Sequence, residues 1–240
     1  MGYGRAVGMG NEITENVLIN GTNISEFGAK ALRGYSIGGT PITNDYFQGR
    51  NRSQYILMSK AYGLKPIKIT FVYQGNTRYD VEMNKSRLEA EMFEGFELFL
   101  PNGFYYRCML DSIGEAETKG VDGSGVLISV AYKFSGIQHE ALETVLDGTS
   151  FEVSATLPKM DCILTVTVGE NAETYNLCGA VFSNVVAGDV LVFDGINKRF
   201  LKNNAPTTAK HWITFPSVKR GHNAFIAPDT VKVEFYPCYI

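Results

Sequence analysis

Gly188-Asp189-Val190-Leu191-Val192-Phe193-Asp194-Gly195, followed by Ile196-Asn197-Lys198-Arg199-Phe200-Leu201-Lys202-Asn203-Asn204, is the stretch on which the fold turns. Two runs of branched and aromatic residues flank an Asp194-Gly195 pair. That pair suits a tight connection between strands, because Gly accepts positive φ and Asp hydrogen-bonds nearby backbone. The rhythm recurs on either side. Phe151, Val153, Ala155 and Leu157 alternate with polar residues; Cys162, Leu164, Val166 and Val168 alternate with threonines after Ile163; Val231, Val233 and Phe235 alternate with Lys232 and Glu234. A period of two with one apolar face predicts sheets with one side in a core and the other in water. Such strands with no helical periodicity among them read as a compact two-sheet sandwich.

The first half has the same punctuation with longer strands. Val17-Leu18-Ile19-Asn20 precedes Gly21, the run Pro66–Gln74 precedes Gly75-Asn76, and Gly125–Gly136 is rich in β-formers. The clearest hairpin is Phe96–Leu100, Pro101-Asn102-Gly103, then Phe104–Leu110, where Asn-Gly suits the turn and aromatics suit the pleated surface. One segment departs. Lys85–Gly95 combines good helix formers with a Ser86-x-x-Glu89 capping box and a Leu88/Met92 pair one turn apart, which predicts one short helix ending at Gly95. The polar stretch Gly114–Gly125 reads as a long hairpin loop around an Asp122-Gly123 turn. Strand rhythm halts over Ser135–Gly148, which places a domain boundary near residue 145. The expected organisation is a lead arm over 1–16, a first domain over 17–145 and a second over 146–240.

Composition narrows the class of function. Hydrophobic residues at 45% and charged residues at 20% describe a chain that folds throughout. The net charge of −3 comes with scattered Lys and Arg, so no dedicated nucleic-acid surface is expected. Cys108, Cys162, Cys178 and Cys238 form no CxxC pair and read as small hydrophobes. No apolar run is long enough to cross a bilayer, and the first residues lack the apolar core of a secretory signal, so no membrane role is expected and assembly in a cytoplasm is. The N-x-S/T triplets at Asn20, Asn23, Asn51 and Asn84 are then chance matches.

Catalytic patterns fare poorly. Gly34-Tyr35-Ser36-Ile37-Gly38 matches the GxSxG nucleophile elbow in form, but Gly39-Thr40-Pro41 cannot begin the helix that the elbow requires, so the segment reads as a turn. His139, His211 and His222 are dispersed and suggest no metal site. Glu89, Glu91, Glu94 and Glu97 read as a solvated helical face. The glycines at 2, 4, 8 and 10 lack the strand and the Lys-Ser/Thr of a phosphate loop. Neither catalytic residues nor a cofactor are expected. The 13 Tyr and 15 Phe read mainly as core and interface packing, with a sugar-stacking platform as the alternative.

Taken as a unit, Gly188–Asn204 with Trp212–Ile240 resembles the C-terminal part of the distal tail proteins of siphophages and related prophages. The matching positions are Gly188, Asp189, Asp194, Phe215, Pro216, Gly221 and Asn223; Val218 with Lys219-Arg220 departs from the family's usual Leu and Pro. Residue chemistry gives them structural work: Phe215 as an apolar anchor, Pro216 as a strand end, Gly221 as a tight turn, Asn223 as a backbone clamp. The resemblance spans 17–240. It implies a mostly β fold with one short helix, an N-terminal split-barrel-like belt domain and a C-terminal galectin-like β-sandwich. The implied role is non-enzymatic: a hexameric ring at the virion tail tip that joins the tail tube protein to tail-lysin, fibre or baseplate hub proteins. A lumen passing the tape measure protein or DNA would involve no specific nucleic-acid contact. The alternative function is a carbohydrate-binding sandwich that aids adhesion to the host wall.

Overall fold

The computed structural model describes residues 12–13, 16–32, 34–50, 53–122 and 125–240. The fold is mostly β, with one α-helix among the described residues. The chain forms two compact units, one running to Gln138 and one from His139 to Tyr239.

The first unit is a curled half-barrel sheet. Its strands lie in the order Glu12–Ile13, Ala29–Leu32, Lys65–Gly75, Gly125–His139, Tyr105–Ile113, Phe96–Phe99, Leu18–Ile19 and Thr22–Asn23. The spine is the antiparallel pair Lys65–Gly75 and Gly125–His139, in continuous register from Val126↔Gly75 to Gly136↔Lys65. Alternation along it sends Ile67, Ile69, Phe71, Tyr73, Ile128, Val130, Tyr132 and Phe134 into one core. The predicted hairpin forms with Tyr105↔Phe99 through Cys108↔Phe96 in register. Its turn is held by the Asn102 side chain, which accepts from the Phe104 amide at 3.2 Å and donates to the Tyr106 hydroxyl at 2.7 Å.

The helix, α1, spans Arg78–Ala90 rather than beginning after Asn84. Its capping box is Thr77 with Asp80: the Thr77 hydroxyl accepts from the Asp80 amide, and the Asp80 carboxylate accepts from the Thr77 amide at 2.9 Å. The first turn, Arg78–Val81, mixes the β-formers Tyr79 and Val81 with Arg78 and Asp80, and the cap together with burial of Val81, Leu88 and Met92 makes it helical. Ser86 lies inside the helix, in no capping role.

Two further expectations are corrected. Most of the polar segment after Gly114 is a strand, Glu117–Asp122, paired with Gly125–His139. The turn at Gly123 lies outside the described residues. Strand also continues beyond Ser135 to His139, with Tyr132, Phe134 and Gly136 buried in alternation, and a new strand of the second unit's sheet begins at Glu143–Val145.

The second unit is built on the sheet order Glu143–Val145, Val231–Phe235, Lys159–Thr167, Val190–Asp194, Arg199–Lys202, Ala205–Thr207. The strand Lys159–Thr167 buries Met160, Cys162, Leu164 and Val166 and turns the intervening residues outward, as the period of two requires. A hairpin of Ala172–Leu177 with Ala180–Val185 brings Tyr175, Leu177 and Phe182 into the same core, which also holds Phe193, Val233 and Phe235.

Candidate functional site

The catalytic lookalike dissolves in the structure. Ser36 and Ile37 form a two-residue strand paired with Lys68 and Ile67, and Ser36 is exposed. This is an edge strand rather than the expected turn. Gly38 is small because Pro66 packs on it: a Cβ there would meet the Pro66 Cγ at 2.6 Å. The histidines stay apart. His139 is buried edge-to-face on Tyr236, His211 bridges Val181 through its backbone, and exposed His222 sits 3.6 Å from Glu152. Among the described residues no group of three His, Cys, Asp or Glu could hold a metal ion. Burial pushes the Cys108 thiol up to about 12 and the Cys178 thiol up to about 11, and raises Cys162 as well, which makes all three poor nucleophiles.

The glutamates near α1 are not all the solvated face expected. The Glu89 carboxylate accepts from the Tyr132 hydroxyl at 2.9 Å, and the Tyr132 and Tyr73 hydroxyls bond to each other at 2.8 Å. This chain pins the helix to the two central strands. Burial raises both phenols well above their ordinary range, so both hydroxyls keep their protons. Glu91 accepts from the Asn20 side chain, while Glu94 is exposed.

The seven positions that carried the family resemblance fall at the joints of the second unit. Asp194 is buried and accepts from the Ile196 and Asn197 amides at 3.1 and 2.9 Å, from the Asn197 side chain at 2.8 Å and from the Arg199 guanidinium at 2.9 Å. Burial alone would raise its carboxyl, but these donors outweigh it and leave the group below its ordinary value. Asp189 accepts from the Lys202 ammonium, the Val186 amide and the Asn203 side chain, which together hold it at about 2. Gly188 and Gly221 have φ of 90° and 86°, where a side chain would be strained. Phe215 stacks on Phe200 at 5.5 Å, with the Lys198 ammonium 5.3 Å from its ring. The Pro216 carbonyl accepts from the Cys162 amide, and buried Asn223 closes the Lys219–Gly221 turn by accepting from the Lys219 amide and donating to two carbonyls. These residues hold loops and strands; none converges on a cleft.

A different region leaves large apolar side chains exposed. Ile42–Gln48 and Tyr55–Tyr62 form a hairpin whose strands pair only with each other. Ile42, Tyr46, Phe47, Tyr55, Ile56, Leu57 and Met58 are between 49% and 67% exposed. Register puts Tyr46 opposite Leu57 and Gln48 opposite Tyr55 on one face, and Phe47 opposite Ile56 on the other. A bulge leaves Met58 unpaired between Leu57 and Ser59. On the Tyr46 face, Asn44, Tyr46, Gln48, Tyr55, Leu57 and Lys60 line a groove of about 430 Å³. Tyr79 and Met83 on α1, with Phe93 after it, are 72%, 44% and 67% exposed and form a second apolar patch in this unit. Sequence reading passed over the hairpin. The signal for it was an apolar Tyr-Phe pair and a Tyr-Ile-Leu-Met run on either side of polar Gln48–Gln54.

No protein-family model matches this chain, and no curated protein matches it. Solved structures do. The Dit protein of phage SPP1, described as a paradigm of the hub adsorption apparatus in phages infecting Gram-positive hosts, aligns with a TM-score of 0.66 at 11% identity, covering 93% of this chain and 98% of that one. Structures of the phage p2 baseplate in its activated conformation, one with Sr and one with Ca, each align with a TM-score of 0.51 at 11% identity over 89% of this chain and 92% of theirs. The likeness runs through both units, and the chain has the fold of the phage distal tail proteins.

Proposed function

We propose that this chain is a non-enzymatic structural subunit of a phage tail tip, which assembles through its first unit into a six-membered ring. The ring joins the tail tube protein to distal tail-lysin, fibre or baseplate hub proteins and leaves a passage for the tape measure protein. The observation that carries this reading is a fold shared with the SPP1 Dit hub over 93% of this chain and 98% of that one. An apolar hairpin left uncovered in a single copy supports it, since exposed patches of this size mark association sites. Sedimentation velocity and mass photometry of the purified protein, alone and with its tail tube protein, test the reading. A closed oligomer of one size is expected, and a monomer under every one of these conditions would overturn it.

A second reading, a carbohydrate-binding sandwich, is favoured by Trp212, 44% exposed and packed edge-on against Phe200 at 5.2 Å. Stacking of a sugar would alter its fluorescence, and any change in Trp emission belongs to this residue because it is the one Trp in the chain. A glycan array and a cell-wall pull-down with no binding remove this alternative.

A further inference from the structure

The hairpin cannot be a finished structure as a single copy presents it. A two-stranded ribbon in water is marginally stable at best, and this one carries large apolar side chains on both faces. Tyr46, Tyr55 and Leu57, which share one face, offer on the order of 400 Å² of surface, about half the share one partner brings to an interface of standard size. The chain itself supplies a matching surface. On α1, Tyr79 and Met83 stand one turn apart on the side opposite Val81 and Leu88, so they face away from the core. Charge divides the two surfaces by sign. Described cations on the hairpin are Arg50 and Lys60, against Asp45 alone, and Lys60 borders the groove. The helix segment Arg78–Gly95 holds five acidic residues and three basic ones, and Lys85 lies within 4 Å of Glu82 and Glu89.

Resting on the ring reading above, we propose that the Tyr46 face of the hairpin in one copy seats on the α1 face of the next copy. Met83 and Tyr79 fill the groove, and Lys60 pairs with Glu82. Hairpin and helix belong to the same chain and are different surfaces, so the contact is heterologous, the kind that repeats around a closed ring.

A paired-cysteine experiment on the full-length protein tests this. Leu57→Cys with Met83→Cys in one chain, mildly oxidised, is expected to run on a non-reducing gel as a ladder of multiples ending at the ring size. Either single variant should give no ladder. As a second arm, Lys60→Glu should lower the oligomer fraction at least tenfold, and adding Glu82→Lys should restore it. A ring seen by sedimentation with no ladder and no charge rescue overturns the hairpin-to-helix contact and leaves the ring reading standing. Dimers and nothing larger from Leu57→Cys alone would show a two-fold contact between hairpins and overturn it as well. No oligomer of any kind in the unmodified protein, with or without the tube protein, sinks both.

Discussion

The hairpin at Val190–Lys202 and the hairpin at Ile42–Tyr62 are alike in plan, two antiparallel strands rich in aromatic and branched residues, and opposite in finish. In the first, Leu191, Phe193 and Phe200 are buried in a core, and the turn aspartate is met by four donors. In the second, no residue of either strand is buried, and the large apolar groups face outward. One is complete within a single chain. The other carries large apolar side chains that its own chain leaves uncovered, the surface that the proposed ring would bury.

The contrast breaks most sharply at Asp194. Replacing it with Ala removes a buried acceptor from four donors on residues that water can still reach, and we expect a loss of about 1.5–3 kcal/mol in urea unfolding followed through Trp212. A loss below about 0.5 kcal/mol would mean that the turn is held by its strands alone.

A smaller effect is expected in the first unit. Tyr132→Phe removes the middle of the Tyr73–Tyr132–Glu89 chain and should cost about 1–2 kcal/mol by circular dichroism melting, with faster amide exchange in α1. Unchanged exchange would show that apolar packing of Val81 and Leu88 suffices to hold the helix.

Asp189 sharpens the acid side. Its carboxyl is held at about 2 in the fold, below the ordinary value of 3.8, so it favours the folded state fully above that ordinary value. The contribution fades as pH falls from about 4 towards 2. Asp189→Asn should therefore flatten the acid limb of a stability curve between those values. An identical limb would show that the Lys202 contact is without weight.

Smallest of all is the effect of Phe47→Ser with Ile56→Ser in the isolated monomer. Groups already in water lose little, and melting should shift by less than the equivalent of about 0.5 kcal/mol. A larger drop would show that the hairpin is buried within its own chain.

How much was legible in the sequence follows the same division. Strands whose two faces differ in polarity announce themselves, as Lys159–Thr167 and Val231–Phe235 do. Turns whose chemistry is local, such as Asn102-Gly103 and Asp194-Gly195, can be read from two residues. The start of α1 was missed although Thr77-x-x-Asp80 has the spacing of a capping box, because the β-formers Tyr79 and Val81 in its first turn follow directly on the strand Lys65–Gly75. The polar Glu117–Asp122 strand hid for the opposite reason: as a partner to the central strand it needs no apolar face. The Ile42–Tyr62 hairpin was hidden because its alternation is blurred on both faces and shifted by the bulge at Met58, so it matches neither a buried strand nor an amphipathic one. Its apolar side chains lie outside the chain's own core, and a pattern search tuned to cores passes over them.

The bulge also bears on the life of a newly made copy. A flat ribbon with bare greasy sides would stack indiscriminately on others of its kind, as amyloid-forming segments do. The extra residue at Met58 twists this one locally and upsets the register that such stacking needs, while Lys60 and Arg50 repel a parallel neighbour. The protection is partial, so in the proposed ring assembly competes with misassociation, and raising the concentration at which the chain is synthesised should yield a larger share of precipitate.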